Sequence, residues 1–121
     1  MSKRILAVDD QEDNRRILRD LLTSAGFEVF EATTGEEAVS QAEALVPDLI
    51  LMDIQLPGID GYEATRRIKA NPALRAIPLI VVTSYALSGD ETKAFAAGAN
   101  AYVSKPFSPR ALLAKVREFL T

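Results

Sequence analysis

Three runs in this chain are apolar on both faces, and each stops at polar residues. Arg4-Ile5-Leu6-Ala7-Val8 ends at Asp9-Asp10, Leu49-Ile50-Leu51-Met52 ends at Asp53, and Leu79-Ile80-Val81-Val82 ends at Thr83-Ser84. A strand without a polar face needs cover on both sides, and helices flanking a parallel sheet supply it. Glu28-Val29-Phe30-Glu31 and Ala101-Tyr102-Val103 complete a set of five short, β-branched or aromatic runs.

The stretches between them read as helices. Thr34-Gly35-Glu36-Glu37 and Ser88-Gly89-Asp90-Glu91 match the capping box, and Asp60-Gly61-Tyr62-Glu63 is a near variant. Ser108-Pro109 places a cap before a proline at the first helical position. Gly26 and Gly98 sit where a left-handed residue ends a helix. Ile17, Leu18, Leu21, Leu22 and Ala25 form one apolar stripe; Leu112, Leu113, Val116, Phe119 and Leu120 form another. Strand and helix therefore alternate five times. Right-handed crossovers predict a (βα)5 flavodoxin-like, three-layer α/β fold: a five-stranded parallel sheet in the order 2-1-3-4-5. At 121 residues the expectation is one domain over 1–121 that buries roughly two-thirds of its unfolded surface.

Composition removes whole classes of chemistry. With no cysteine there are no disulfides, thiolate nucleophiles or zinc–sulfur sites, and with no histidine there is no Ser-His-Asp catalysis. Carboxylates, hydroxyls, lysines and a hard metal remain. A net charge of −3 gives no nucleic-acid footprint, so the pairs Arg15-Arg16 and Arg66-Arg67 read as solvated helix faces. No stretch reaches the length of a membrane span, and Met1-Ser2-Lys3-Arg4 leads into the first strand without a signal segment. No membrane partner and a cytoplasmic location are expected.

Ligands of such sheets bind beyond the carboxyl ends of the strands, beside the point where the order reverses. That rim holds Asp9 and Asp10, then Asp53, then Thr83 and Ser84, then Ser104, Lys105 and Pro106. Each has an ordinary reading taken singly. Asp10 or Asp13 caps the first helix, the threonine favours β structure, the lysine is exposed, and Tyr102 is a half-buried aromatic. Together they are less ordinary, because like charges 4 Å apart repel by about 4 kcal/mol at an effective dielectric near 20. Lys105 offsets one charge and a divalent cation two. Mg²⁺ takes oxygen ligands, typically one or two carboxylates plus a phosphate. The expectation is ligation by Asp10 and Asp53, with Asp9 acting through water and a carbonyl from Gln55. Asp53, alone at the end of a buried strand, is the candidate phosphoryl nucleophile. Lys105, Thr83 and backbone N–H groups would then receive the phosphoryl oxygens.

Asp9-Asp10, Leu51-Met52-Asp53, Leu56-Pro57-Gly58-Ile59-Asp60-Gly61, Thr83, Tyr102 and Lys105-Pro106-Phe107 resemble the receiver domain of bacterial two-component response regulators, closest in character to its stand-alone members. The resemblance spans the whole chain and no key position departs from it. It implies that Asp53 accepts phosphate from a histidine kinase or a histidine phosphotransfer protein. The acidic pair would serve Mg²⁺ and Lys105 would bridge to the phosphate. Thr83 and Tyr102 would switch, and the bond before Pro106 would be cis. It also implies a downstream protein target at the fourth helix, fifth strand and fifth helix, and a monomer or weak dimer. Gln55 and Tyr85 occupy positions that vary in the family and influence phosphate lifetime.

Three rivals have distinct signatures. A Mg²⁺-dependent aspartyl-nucleophile phosphatase would carry its two acids two apart after the first strand and a cap insertion. A scaffold of receiver shape that is never phosphorylated would have lost an acid, Thr83 or Lys105. A flavin carrier would have a phosphate loop after the first strand. The chain matches none of them, so no turnover of an external substrate is expected.

Overall fold

The computed structural model describes residues 2–83 and 90–120. The five runs become β1 (Arg4–Val8), β2 (Glu28–Ala32), β3 (Leu49–Met52), β4 (Leu79–Thr83) and β5 (Ala101–Ser104). They pair in parallel in the order β2-β1-β3-β4-β5, as expected. β1, β3 and β4 occupy the middle, and their lack of a polar face follows from cover on both sides.

The helices are α1 (Glu12–Ser24), α2 (Gly35–Leu45), α3 (Gly61–Ala70), α4 (Asp90–Ala96) and α5 (Pro109–Leu120). Alternation along each strand divides the interior into two cores. Ile5, Ala7, Leu49, Leu51, Ile80 and Val82 meet Leu18 and Leu22 of α1 and Leu112 and Val116 of α5. Leu6, Val8, Ile50, Met52 and Val81 meet Ala38 of α2, Ile68 of α3 and Ala94 of α4. Each buried Leu, Ile or Val contributes about 1.5–3 kcal/mol. These two layers hold the strand ends in fixed register.

Most caps form as the sequence predicts. The Thr34 hydroxyl accepts from Glu37 N at 3.0 Å. The Glu37 carboxylate accepts from Thr33 N at 2.7 Å, one residue earlier than in the reciprocal box. Asp60 accepts from Glu63 N at 2.9 Å and Ser108 Oγ from Ala111 N at 3.3 Å. The predicted cap at Ser88, with Ser84 and Tyr85, lies outside the described residues.

At α1 the ordinary alternative reading of Asp10 or Asp13 and one expectation both fail. Neither Asp10 nor Asp13 caps it: the N-cap is Gln11, without a side-chain bond, and Glu12 and Asp13 merely face the positive end of the helix dipole. Ile17 leaves the stripe and is 55% exposed. A helix on a flat sheet buries the row centred on Leu18 and Leu22, and Ile17 lies about 100° round from Leu18.

Gly26 and Gly98 adopt φ of 95° and 111°, the left-handed ends predicted for them. Val46 closes α2 at φ 44°, where a β-branched side chain is strained. Val46→Gly should therefore raise the melting temperature despite the added chain entropy, by about 1 kcal/mol or about 4 °C, measured by scanning calorimetry.

Candidate functional site

The strand register assembles the rim. Val8 lies opposite Met52, so Asp9 and Asp53 leave adjacent strands side by side. Asp53 N donates to Val8 O at 3.0 Å, and Asp9 N donates to Ala32 O at 3.1 Å. On the far side Lys105 N donates to Thr83 O at 2.8 Å, which ties the lysine's loop to the end of β4. The Lys105–Pro106 bond is cis, as expected.

Carboxylate oxygens of Asp9, Asp10 and Asp53 lie within 4.8 Å of one another. Asp9 and Asp53 are buried, and Asp10 is exposed at the mouth. Lys105 Nζ donates to Asp9 Oδ2 at 2.8 Å and lies 3.5 Å from Asp53 Oδ2. The other oxygen of each acid is held by backbone: Gln11 N donates to Asp9 Oδ1 at 2.9 Å and Ile54 N to Asp53 Oδ1 at 2.6 Å. Asp10, Asp53 and Gln55, with Gln11 and Asn14, line an open cleft of about 240 Å³. A larger depression of about 840 Å³ lies at the opposite end of the sheet. There Arg4 is already bound, through its N to Asp48 and its guanidinium to Val46 O.

Thr83 is fully buried at the end of β4. Tyr102 is half-buried on β5, against the core under α2, α3 and α4. The structure thus brings Asp9, Asp10, Asp53, Lys105 and Gln55 to one cleft. Thr83 and Tyr102 stand on the adjoining strands.

Burial pushes the Asp53 carboxyl above its ordinary range; the Lys105 charge opposes this, and the Asp9 carboxylate adds to it. Three hard oxygen donors, an excess of negative charge and an open side form a donor set that fits Mg²⁺.

The sequence did not reveal four contributors. Arg15, read as solvated, has a largely buried side chain whose Nη1 donates to Asp9 O at 2.8 Å. Its signal was Glu31, a second charge within β2, which Arg15 Nε meets at 3.1 Å. Gly61 was seen only as part of a loop motif and of a capping motif. A Cβ there would stand 2.0 Å from Asp53 O, so α3 can start this close to the site only with glycine. Asn14 and Gln11 gave no distinguishing signal.

Residues 5–117 match the family model described as the response regulator receiver domain. The polar-differentiation response regulator DivK of Brucella ovis is 41% identical over 120 residues, covering 99% of this chain and 98% of that protein. A response regulator from Chloroflexus aurantiacus superposes with a TM-score of 0.94 at 36% identity, covering 99% of this chain and 98% of its own. The receiver domain of a Pseudomonas aeruginosa sensor histidine kinase, with a magnesium ion coordinated in its active-site cleft, has a TM-score of 0.92 at 38% identity, with the same coverage.

The raised Asp53 pKa has a stability consequence. Between the unfolded and folded values the native state binds more protons, so stability falls as pH rises through that window. Above it the ionised Asp53 is a constant cost. In metal-free buffer at neutral pH, Asp53→Asn should melt several degrees above wild type. The gap should close at pH values below the ordinary aspartate range. Gly61→Ala should instead lose stability at every pH, by about 2–4 kcal/mol, because backbone must move. Thermal melts across pH check both.

Proposed function

The chain belongs to the response regulator receiver family, and on that footing we propose that Asp53 is the phosphoacceptor of a two-component phosphorelay. The observation that carries this reading is the cluster of Asp53, Asp9, Asp10 and Lys105: three carboxylates within 4.8 Å of one another, with the ammonium on two of them. The donor is a histidine kinase or a histidine phosphotransfer protein. An Asp53 oxygen attacks phosphorus, the P–N bond of the donor's phosphohistidine breaks, and the imidazole leaves and takes up a proton.

Asp9, Asp10, Asp53 and the Gln55 carbonyl would hold Mg²⁺, which supplies positive charge for the developing phosphoryl oxygens. The chain's own groups do the rest. Ile54 N–H fixes one Asp53 oxygen, so the carboxylate is aimed before the donor arrives. Lys105 is poised to exchange its weaker contact with Asp53 for a phosphoryl oxygen while Asp9 still anchors it. Its charge then stabilises the transition state. The Thr83 hydroxyl takes another oxygen from the end of β4.

Phosphorylation adds roughly −1.5 to −2 charges and strong acceptors. Bonds from Thr83 and Lys105 to those acceptors exist in only one state and bias the equilibrium toward it. Tyr102, on the neighbouring strand, turns inward in response. The face formed by α4, β5 and α5, where Phe95 is already 46% exposed, then receives a downstream protein. The chain acts in the cytoplasm, as a monomer or weak dimer, and turns over no external substrate. Among the described residues no helix is long and apolar enough to cross a membrane.

Acetyl phosphate with Mg²⁺ should add one phosphoryl group to wild type by intact mass and none to Asp53→Asn. Equal labelling of both would remove Asp53 from the role, and no labelling of wild type would favour the unphosphorylated scaffold. Thr83→Ala should still be labelled, yet show much smaller amide shifts over α4, β5 and α5. Undiminished shifts would take Thr83 out of the switch.

A further inference from the structure

Arg15 contacts neither Asp10 nor the cleft, yet it holds the peptide on which Asp10 hangs. Its side chain is only 11% exposed and three of its nitrogens are engaged. Nη1 donates to the Asp9 carbonyl at 2.8 Å, Nε meets Glu31 at 3.1 Å, and Nη2 meets Glu12. Glu31 is itself held by Arg19 at 2.9 Å. The Arg15 charge is thus matched locally by Glu12 and Glu31. Its bond to Asp9 O acts mainly through direction.

That carbonyl belongs to the peptide unit joining Asp9 to Asp10, and turning this plane moves the Asp10 carboxylate relative to Asp53. The neighbouring bonds, Asp9 N to Ala32 O and Gln11 N to Asp9 Oδ1, fix Asp9 at its other atoms. Among the described residues no hydrogen bond orients the Asp10 carboxylate itself. Its aim therefore comes from its backbone. We infer that Arg15 is a positioning residue for divalent-cation binding: it locks the Asp9–Asp10 peptide so that Asp9 turns to Lys105 while Asp10 faces the cleft. This rests on the cation reading proposed above. A rigid planar fork can meet a carbonyl and two carboxylates at once; a lysine ammonium keeps the charge and loses that geometry.

The test is a double-mutant cycle on Mg²⁺ affinity, read by calorimetric titration of the full chain beside thermal melts. Arg15→Lys should weaken Mg²⁺ binding about tenfold, the lower range for residues that orient metal ligands. In an Asp10→Asn background the same change should add nothing, because the carboxylate that Arg15 aims is gone. If Arg15→Lys fails to fold, Glu31→Gln loosens the same fork and should give a smaller loss, again absent beside Asp10→Asn. A lowered melting temperature with unchanged Mg²⁺ affinity makes Arg15 structural only and overturns the inference. Equal losses in both backgrounds overturn it too, since the effect would not pass through Asp10. A wild type with no saturable Mg²⁺ response defeats the cation reading itself, and the inference with it.

Discussion

Lys105 places its ammonium 2.8 Å from Asp9 and 3.5 Å from Asp53, across a gap bridged by no other side-chain cation among the described residues. Without it, two buried carboxylates would confront one another with little screening by water, beside the exposed Asp10. At an effective dielectric near 20, each like-charged pair at 4 Å costs about 4 kcal/mol. One ammonium cannot balance three carboxylates. Burial, reinforced by the Asp9 charge, keeps the Asp53 pKa high, and the excess of negative charge makes the cleft attractive to a divalent cation.

The rest of the fold serves that confrontation. Two apolar layers clamp the central strands, so Asp9 and Asp53 cannot drift apart to relieve repulsion. Gly61 lets α3 start against the Asp53 carbonyl. Arg15 and Ala32 hold the Asp9 backbone from the β2 side. A site kept tense in this way has a large response available when charge is added. Reversing a two-state equilibrium from 1:99 to 99:1 requires about 5.5 kcal/mol. In the proposed reading, new charge-assisted bonds from Lys105 and Thr83 to the phosphoryl oxygens supply part of it.

The fold was legible in the sequence because its cues agree at several levels. The apolar runs gave all five strands to within a residue, and Thr34, Asp60 and Ser108 gave three helix starts. Asp9, Asp10, Asp53 and Lys105 were legible as a cluster because parallel topology brings strand ends together whatever their separation along the chain. What stayed hidden depends on tertiary placement. Arg15 and Arg16 are neighbours in sequence, but 100° of helix rotation leaves Arg16 exposed and turns Arg15 onto Glu31. Ile17 looked like core because a stripe drawn from spacing is wider than the row a flat sheet can cover. The closeness of Gly61 to the Asp53 carbonyl is a distance, and no pattern of residue types encodes it.

Lys105 relieves the carboxylate crowding at this rim only in part, and a cation is needed for the rest. The most direct measurement is a ¹³C titration of the Asp53 side-chain carboxyl by NMR, with and without Mg²⁺. A midpoint above the usual aspartate range is expected in metal-free buffer, falling when Mg²⁺ is added. An ordinary midpoint that Mg²⁺ leaves unmoved would contradict it.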